Sequence, residues 1–197
     1  MSYSIDALSD GCYPGTTCLI NKLNIKDEQI LASYEAMITT AKAALLEQNP
    51  IAGSLDFHYY KSIHKYLFGD IYSWAGEVRT VNMSKKGTEF VKAEELEAVA
   101  DKAFQRLQQK EYFTNESRAE FIDDVVDFYC VTNMLHPFRE GNGRTQRSYF
   151  TQLISNAGYR IDFSEIDTDA LMIATIQAAQ GVRDNLTSLF ECAIKDK

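Results

Sequence analysis

Apolar positions recur every three to four residues along most of this 197-residue chain. Between Asp27 and Glu47, the residues Ile30, Leu31, Tyr34, Met37, Ile38, Ala41, Ala44 and Leu45 follow the spacing of a helix with one apolar face, and Asn49-Pro50 ends it. The same period predicts helices over 55–69, 93–110, 117–135, 144–157, 166–179 and 184–195, with Gly158 as a stop. Two β-prone runs interrupt this pattern. Val78–Met83 and Thr88–Val91 flank Ser84-Lys85-Lys86-Gly87 and predict a small hairpin. One hairpin builds no sheet core, so the expected fold class is all-α, mainly helical, with a small β-hairpin flap. No repeat, low-complexity stretch or linker divides the chain, and residues 1–197 are read as a single domain.

Composition narrows the function classes. Hydrophobic residues make up 45% and charged residues 24%, as in a soluble globular protein. Lys+Arg 20 against Asp+Glu 28 leaves a net charge of −8, which disfavours a protein living on nucleic-acid backbone contacts. No apolar run approaches the roughly 18 residues of a membrane span, and the N-terminus lacks the basic and apolar regions of a secretion signal. Cys12, Cys18, Cys130 and Cys192 form no C-x-x-C spacing and read as small buried hydrophobes. The expectation is a protein of a reducing cytosol with no membrane and no nucleic-acid partner. His58 has no partner at metal-ligand spacing, and His64 and Trp74 are assigned to the fold.

The chemistry concentrates in His136-Pro137-Phe138-Arg139-Glu140-Gly141-Asn142-Gly143-Arg144-Thr145-Gln146-Arg147. Pro137 biases His136 away from the helical region, so the preceding helix should end there. Gly141-Asn142-Gly143 permits positive φ at successive positions, which would turn backbone N–H groups inward as an anion nest. The next helix adds its positive N-terminal end. Arg144 and Arg147 share one face of that first turn, where each opposes the macrodipole by about 0.3–1 kcal/mol, a penalty that a bound anion would reverse. Glu140 beside such a cradle would repel phosphate unless it held a hard cation in common with the phosphate oxygens, as Mg²⁺ is held. His136 has the intrinsic pKa to take a proton from an attacking hydroxyl. Taken singly these residues are a capping histidine, an i,i+4 ion pair and turn glycines. Their concentration within twelve residues favours the functional reading.

This stretch resembles the signature of the Fic family of AMP-transferring enzymes, H-P-F-x-[D/E]-G-N-G-R-x-x-R, at every specified position. The segment Ile63-His64-x-x-Leu67-Phe68-x-Asp70-Ile71-Tyr72-x-Trp74-Ala75-Gly76-Glu77-x-Arg79 is similar to the one leading Fic domains into their flap, and the resemblance spans about residues 15–195. It implies that His136 deprotonates a Ser, Thr or Tyr hydroxyl of a protein substrate, which attacks the α-phosphate of ATP and expels pyrophosphate. It implies Mg²⁺ on Glu140, phosphate on Gly141, Asn142 and Gly143, with Asn142 at the α-phosphate, and the β- and γ-phosphates on Arg144 and Arg147. The flap, Ser84, Lys85, Lys86, Gly87 and Thr88, would pair with the target's backbone as a strand; the bland reading of Lys85 and Lys86 is a solvated hairpin tip.

Many Fic proteins restrain themselves with a helix bearing [S/T]-x-x-x-E-[G/N]. Thr187-Ser188-Leu189-Phe190-Glu191 fits until Cys192, and its apolar spacing reads as a core helix; Glu35 lacks the preceding Ser or Thr. A separate antitoxin supplying the inhibitory helix is therefore the preferred expectation over an enzyme that is unrestrained, controlled by another route or restrained by Glu35 as a degenerate inhibitor, in a bacterial cytosol, with export as an effector left open. Transfer of UMP or phosphate on the same scaffold and a non-catalytic docking module are the competing readings. Gly143 argues against the kinase arrangement, in which relatives carry Lys there, and intact His136, Glu140 and Arg147 argue against a dead scaffold.

Overall fold

The computed structural model describes residues 4–5, 11–85 and 87–197. Helix α1 (Glu28–Gln48) starts at Asp27, whose carboxylate accepts from the Gln29 and Ile30 N–H groups, and α2 (Phe57–Phe68) is capped in the same way by Asp56. Helices α3 (Leu96–Gln109), α4 (Arg118–Leu135), α5 (Asn142–Asn156), α6 (Thr168–Ala179) and α7 (Asp184–Ala193) follow. A reciprocal Ser117–Glu120 capping box opens α4. The predicted helices all form, and among the described residues no helix is long and apolar enough to cross a membrane.

The core lies around α4 and α5, with α2, α3 and α7 packed on them. Tyr60, Phe104, Phe128, Tyr149 and Phe150 meet edge-on or tilted, centroids 5.1–5.8 Å apart in contacts such as Tyr60–Tyr149, Phe104–Phe128 and Tyr149–Phe150. Gln146 fastens the two central helices by donating to the Tyr129 carbonyl and to Thr132 Oγ1, both at 2.8 Å.

Several expectations are corrected. The flap strands are β2 (Met83–Lys85) and β3 (Thr88–Glu89), antiparallel with Ser84 opposite Glu89 and Lys85 opposite Thr88. Residues 78–82 are not strand, because Arg79 commits this stretch to carbonyls elsewhere: its backbone N–H donates to Pro137 O at 2.8 Å. A strand β1 (Ser4–Ile5) pairs with the other edge of β2. Lys86 lies outside the described residues. The C-terminal helix ends at Ala193, and β5 (Lys195–Asp196) pairs with β4 (Tyr159–Arg160). On α1 the inward residues are Leu31, Glu35, Thr39 and Leu46, whereas Ile30, Tyr34, Met37 and Leu45 face solvent. Cys12 and Cys18 are buried as expected; Cys130 is half-buried and Cys192 is exposed, and all four are free thiols.

Candidate active site

His136 follows the last residue of α4 and sits in the left-handed region, φ 42° and ψ 57°. For a side chain with a Cβ that costs about 1–2 kcal/mol, so neighbours must hold it. Pro137 bars helix continuation, Arg79 Nε donates to the His136 carbonyl at 2.8 Å, and the Phe90 ring lies flat on the imidazole, centroids 3.8 Å apart and planes 6° apart.

The loop to α5 is closed from inside. Phe138 is wholly buried between Tyr60 and His64. Both ends of the Asn142 amide are engaged by the Phe138 backbone: Oδ1 accepts its N–H at 2.8 Å and Nδ2 donates to its carbonyl at 2.7 Å. His64 accepts the Gly76 N–H on Nδ1 at 2.8 Å, so Nε2 carries the proton and donates to Glu140 O at 3.0 Å. His64 thus belongs to the fold, and what it holds is the motif loop.

Gly141 is the N-cap of α5, with φ 81°. A Cβ there would stand 2.3 Å from Phe68 Cζ, so sterics as well as the dihedral require glycine. The expected run of positive φ is not found. Asn142 and Gly143 are already helical, and the helix begins two residues earlier than the spacing predicts. Gly141 offers no side-chain cap, which leaves the N-terminal end of α5 open to an anion.

The predicted site residues divide between two faces. A cavity of about 320 Å³ is lined by His136, Asn142, Gly143 and Arg147, by Lys85 and Thr88 of the flap, and by α6 residues such as Leu171 and Thr175. Arg144 lies outside it, on the α1 side. There its Nη2 pairs with Glu35 and, at 3.4 Å, with Glu140, its Nη1 donates to Thr39 Oγ1 at 3.3 Å, and its guanidinium covers the Phe68 ring at 4.8 Å. Tyr72 donates to the other Glu35 oxygen at 2.5 Å. Arg147 joins the two faces, because it also lines a second cavity of about 530 Å³ between α1, α5 and residues 162–168. Among the described residues Arg147 has no carboxylate partner.

Burial, then the nearby charges of Lys85 and Arg79, push His136 down to about 3 against a hydrogen bond to the Asn133 backbone, so its imidazole is neutral at neutral pH. His64 is likewise pushed down to about 3, chiefly by burial. Burial lowers Arg147 and takes Arg79 to about 10, both still cationic. Glu140 keeps about a third of its side chain exposed; Oε1 accepts the Gly141 N–H at 2.7 Å, and Oε2 accepts no hydrogen bond among the described residues. One hard, open carboxylate oxygen fits a Mg²⁺ ion completed by substrate phosphates and water. The described residues contain no group of three or more His, Cys, Asp or Glu side chains able to hold a metal unaided.

Thr39 is a site neighbour that motif reading missed; Glu35 it weighed only as an inhibitor, and Tyr72 and Arg79 it quoted only within the segment leading to the flap. The available signal for Glu35, Thr39 and Tyr72 was Arg144 itself, a cation that is half-buried here and gains from a partner.

Residues 54–154 match the Fic/DOC family model. A probable protein adenylyltransferase, y4lH, of Sinorhizobium fredii is 36% identical over 86% of this chain and 88% of its own length. The probable protein adenylyltransferase Fic of Escherichia coli is 32% identical over 93% and 91%. Protein adenylyltransferase VbhT of Bartonella schoenbuchensis is 34% identical over 89% of this chain, which spans only 37% of that longer protein. Among solved structures, the BepC effector of Bartonella tribocorum with bound AMPPNP superposes with a TM-score of 0.91 at 28% identity, covering 98% of this chain and 99% of that one. The N-terminal Fic domain of a putative cell filamentation protein of Bartonella quintana with bound ADP gives 0.91 at 30% identity, covering 95% of each. Sequence motif, architecture and relatives agree, and the chain belongs to the Fic/DOC family.

Proposed function

We propose that this chain is a protein adenylyltransferase, moving AMP from ATP to a Ser, Thr or Tyr hydroxyl of a protein and releasing pyrophosphate. The observation that carries the reading is one cavity in which a neutral, rigidly seated imidazole faces the open N-terminus of α5 and the half-buried cation Arg147. His136 takes the proton of the target hydroxyl, whose oxygen bonds to the α-phosphorus as the bond to the β-phosphate oxygen breaks. The first-turn N–H groups of α5, including those of Asn142 and Gly143, hold phosphate oxygens; the Asn142 side chain is spent on Phe138, so this residue serves the phosphate through its backbone. Arg147 neutralises charge gathering on the leaving pyrophosphate. Arg144, held from behind by Glu35 and Thr39, clamps the distal phosphates with the N–H groups those partners leave open. Glu140 would hold Mg²⁺, which when bound neutralises phosphate charge.

The flap accepts the target. β1 already occupies one side of β2, so the outer edge of β3, Thr88–Glu89, is the one we assign to strand addition, with Lys85 and Thr88 beside the reacting hydroxyl. We assign restraint to a separate antitoxin helix. Arg147 lacks a carboxylate partner among the described residues and faces the cavity between α1 and α5 that Arg144 also lines, Glu191 is exposed, and Glu35 is committed to Arg144. The free cysteines suit a reducing bacterial cytosol, where we place the reaction.

Incubation of the chain with a lysate, Mg²⁺ and ATP labelled at the α- or the γ-phosphate tests the reading. Label should pass to protein from the α-position only and vanish with His136→Ala; transfer from the γ-position would establish phosphate transfer instead.

A further inference from the structure

We propose that Arg79 is a positioning residue for His136, setting both the backbone behind the imidazole and the flap wall against its face; this rests on the adenylyltransferase reading above. Arg79 is 5% exposed, and among the described residues no carboxylate lies within ion-pair distance of it. Its guanidinium is spent on carbonyl oxygens of two segments distant in sequence. Nε donates to His136 O at 2.8 Å and Nη2 to Leu135 O at 3.4 Å, both at the end of α4. Nη1 donates to Val81 O at 2.7 Å, and Nη2 also to Val91 O. The Arg79 N–H adds a bond to Pro137 O at 2.8 Å.

Burying a cation without a counter-ion is costly, and stability alone is served better by an apolar side chain of similar volume. What the arrangement secures is registry. His136 sits in a left-handed conformation, and the last helical bond reaching it, from its N–H to Thr132 O, is long at 3.3 Å. Arg79 supplies the outside hold. By seating Val91 it also seats Phe90, the neighbour stacked on the imidazole. A lysine cannot reproduce this, because a single ammonium cannot span carbonyls on opposite sides of a planar fork. Arg79 does not line the cavity shared by His136 and Arg147, so nucleotide binding does not depend on it directly.

The test compares wild type with Arg79→Lys and Arg79→Gln in AMP transfer from ATP, in ATP affinity by calorimetry and in thermal unfolding, together with the ring ¹⁵N resonances of His136 recorded without nucleotide. Expected for both variants is a cooperative melt, ATP affinity within about twofold of wild type, kcat lower by about 10²-fold as for a misplaced catalytic group, and a displaced His136 resonance. A kcat within about threefold of wild type for Arg79→Lys overturns the proposal. So does loss of ATP affinity in step with kcat, or a failure of both variants to fold, which would make Arg79 a purely structural residue. If wild type itself transfers no AMP, the activity reading falls, and the resonances decide alone: an unmoved His136 signal in folded Arg79→Lys overturns the positioning role as well.

Discussion

Two segments close on the same cavity and are held in opposite ways. The motif loop from His136 to Asn142 is fixed from beneath: Phe138 is wholly buried, Asn142 closes a ring of two hydrogen bonds on it, His64 grips the Glu140 carbonyl, and Gly141 lies against the Phe68 ring. The flap from Met83 to Glu89 is two short strands whose side chains beyond Met83 are half-buried or exposed, tied to the body at its base through Arg79, the Val91 N–H and Phe90. The loop presents groups whose mutual geometry decides whether a proton and a phosphoryl group can move. The flap presents backbone to another chain and needs tolerance rather than precision. The contrast predicts that stability is concentrated in the loop, while the flap acts on chemistry with little effect on folding.

The severest break is Gly141→Ala. The added methyl would meet three Phe68 ring atoms at 2.3, 2.5 and 2.9 Å in a backbone conformation that alanine resists. Overpacking and the left-handed penalty together predict a loss of about 3–5 kcal/mol in urea unfolding; a loss below about 1 kcal/mol would mean that the loop yields easily and the contrast fails. Asn142→Ala comes next. It strips partners from the buried Phe138 N–H and carbonyl, for an expected loss of about 2–3 kcal/mol.

Acid sharpens the same contrast, because the loop contains or contacts two buried histidines and the flap has none. His64 and His136 are pushed down to about 3 when folded, against 6.5 ordinarily, so the unfolded chain binds protons that the folded chain refuses. Stability should therefore be complete above pH 6.5 and fall as pH drops toward 3, by about 1–2 kcal/mol per histidine between pH 6.5 and 5. Unfolding curves at pH 7 and 5 for wild type and His64→Asn check this: the variant should lose about half as much on acidification. Glu35→Gln should matter less to the fold and more to phosphate binding. It keeps the volume but removes the charge that steadies Arg144, for a predicted rise of a few-fold in KM for ATP, on the order of 1 kcal/mol.

What was legible in the sequence follows from what is local. The apolar spacing of α4 and α5, the end of α4 before Pro137 and the motif between them are properties of neighbouring residues. The inward face of α1 was not, since periodicity counts apolar positions and this helix turns Glu35 and Thr39 inward to meet Arg144, more than a hundred residues away. Val78–Asn82 has strand composition, yet Arg79 draws it onto carbonyls at the end of α4. The two-residue pairings of β1 with β2 and of β4 with β5 have partners far along the chain and leave no periodic trace. His64 reads as a core histidine and is one; that its proton goes to the Glu140 carbonyl is visible only in three dimensions.

Lys85→Ala probes the flap side most finely. Lys85 lines the His136 cavity from a half-buried strand position, so its truncation should change folding stability by no more than about 0.5 kcal/mol. Its charge, with that of Arg79, adds to burial in lowering His136. Removing it leaves burial and Arg79 in place, so the imidazole should move up part of the way toward its ordinary value. The active form is the neutral one, which means that the acid limb of kcat/KM shifts to higher pH while the plateau at neutral pH holds. A nucleotide's negative charge acts in the same direction in the wild type, so there the acid limb of kcat should lie above that of kcat/KM. If Lys85→Ala leaves the acid limb where it was, the flap touches the chemistry only by shape; if it unfolds the protein, flap and loop are not held differently after all.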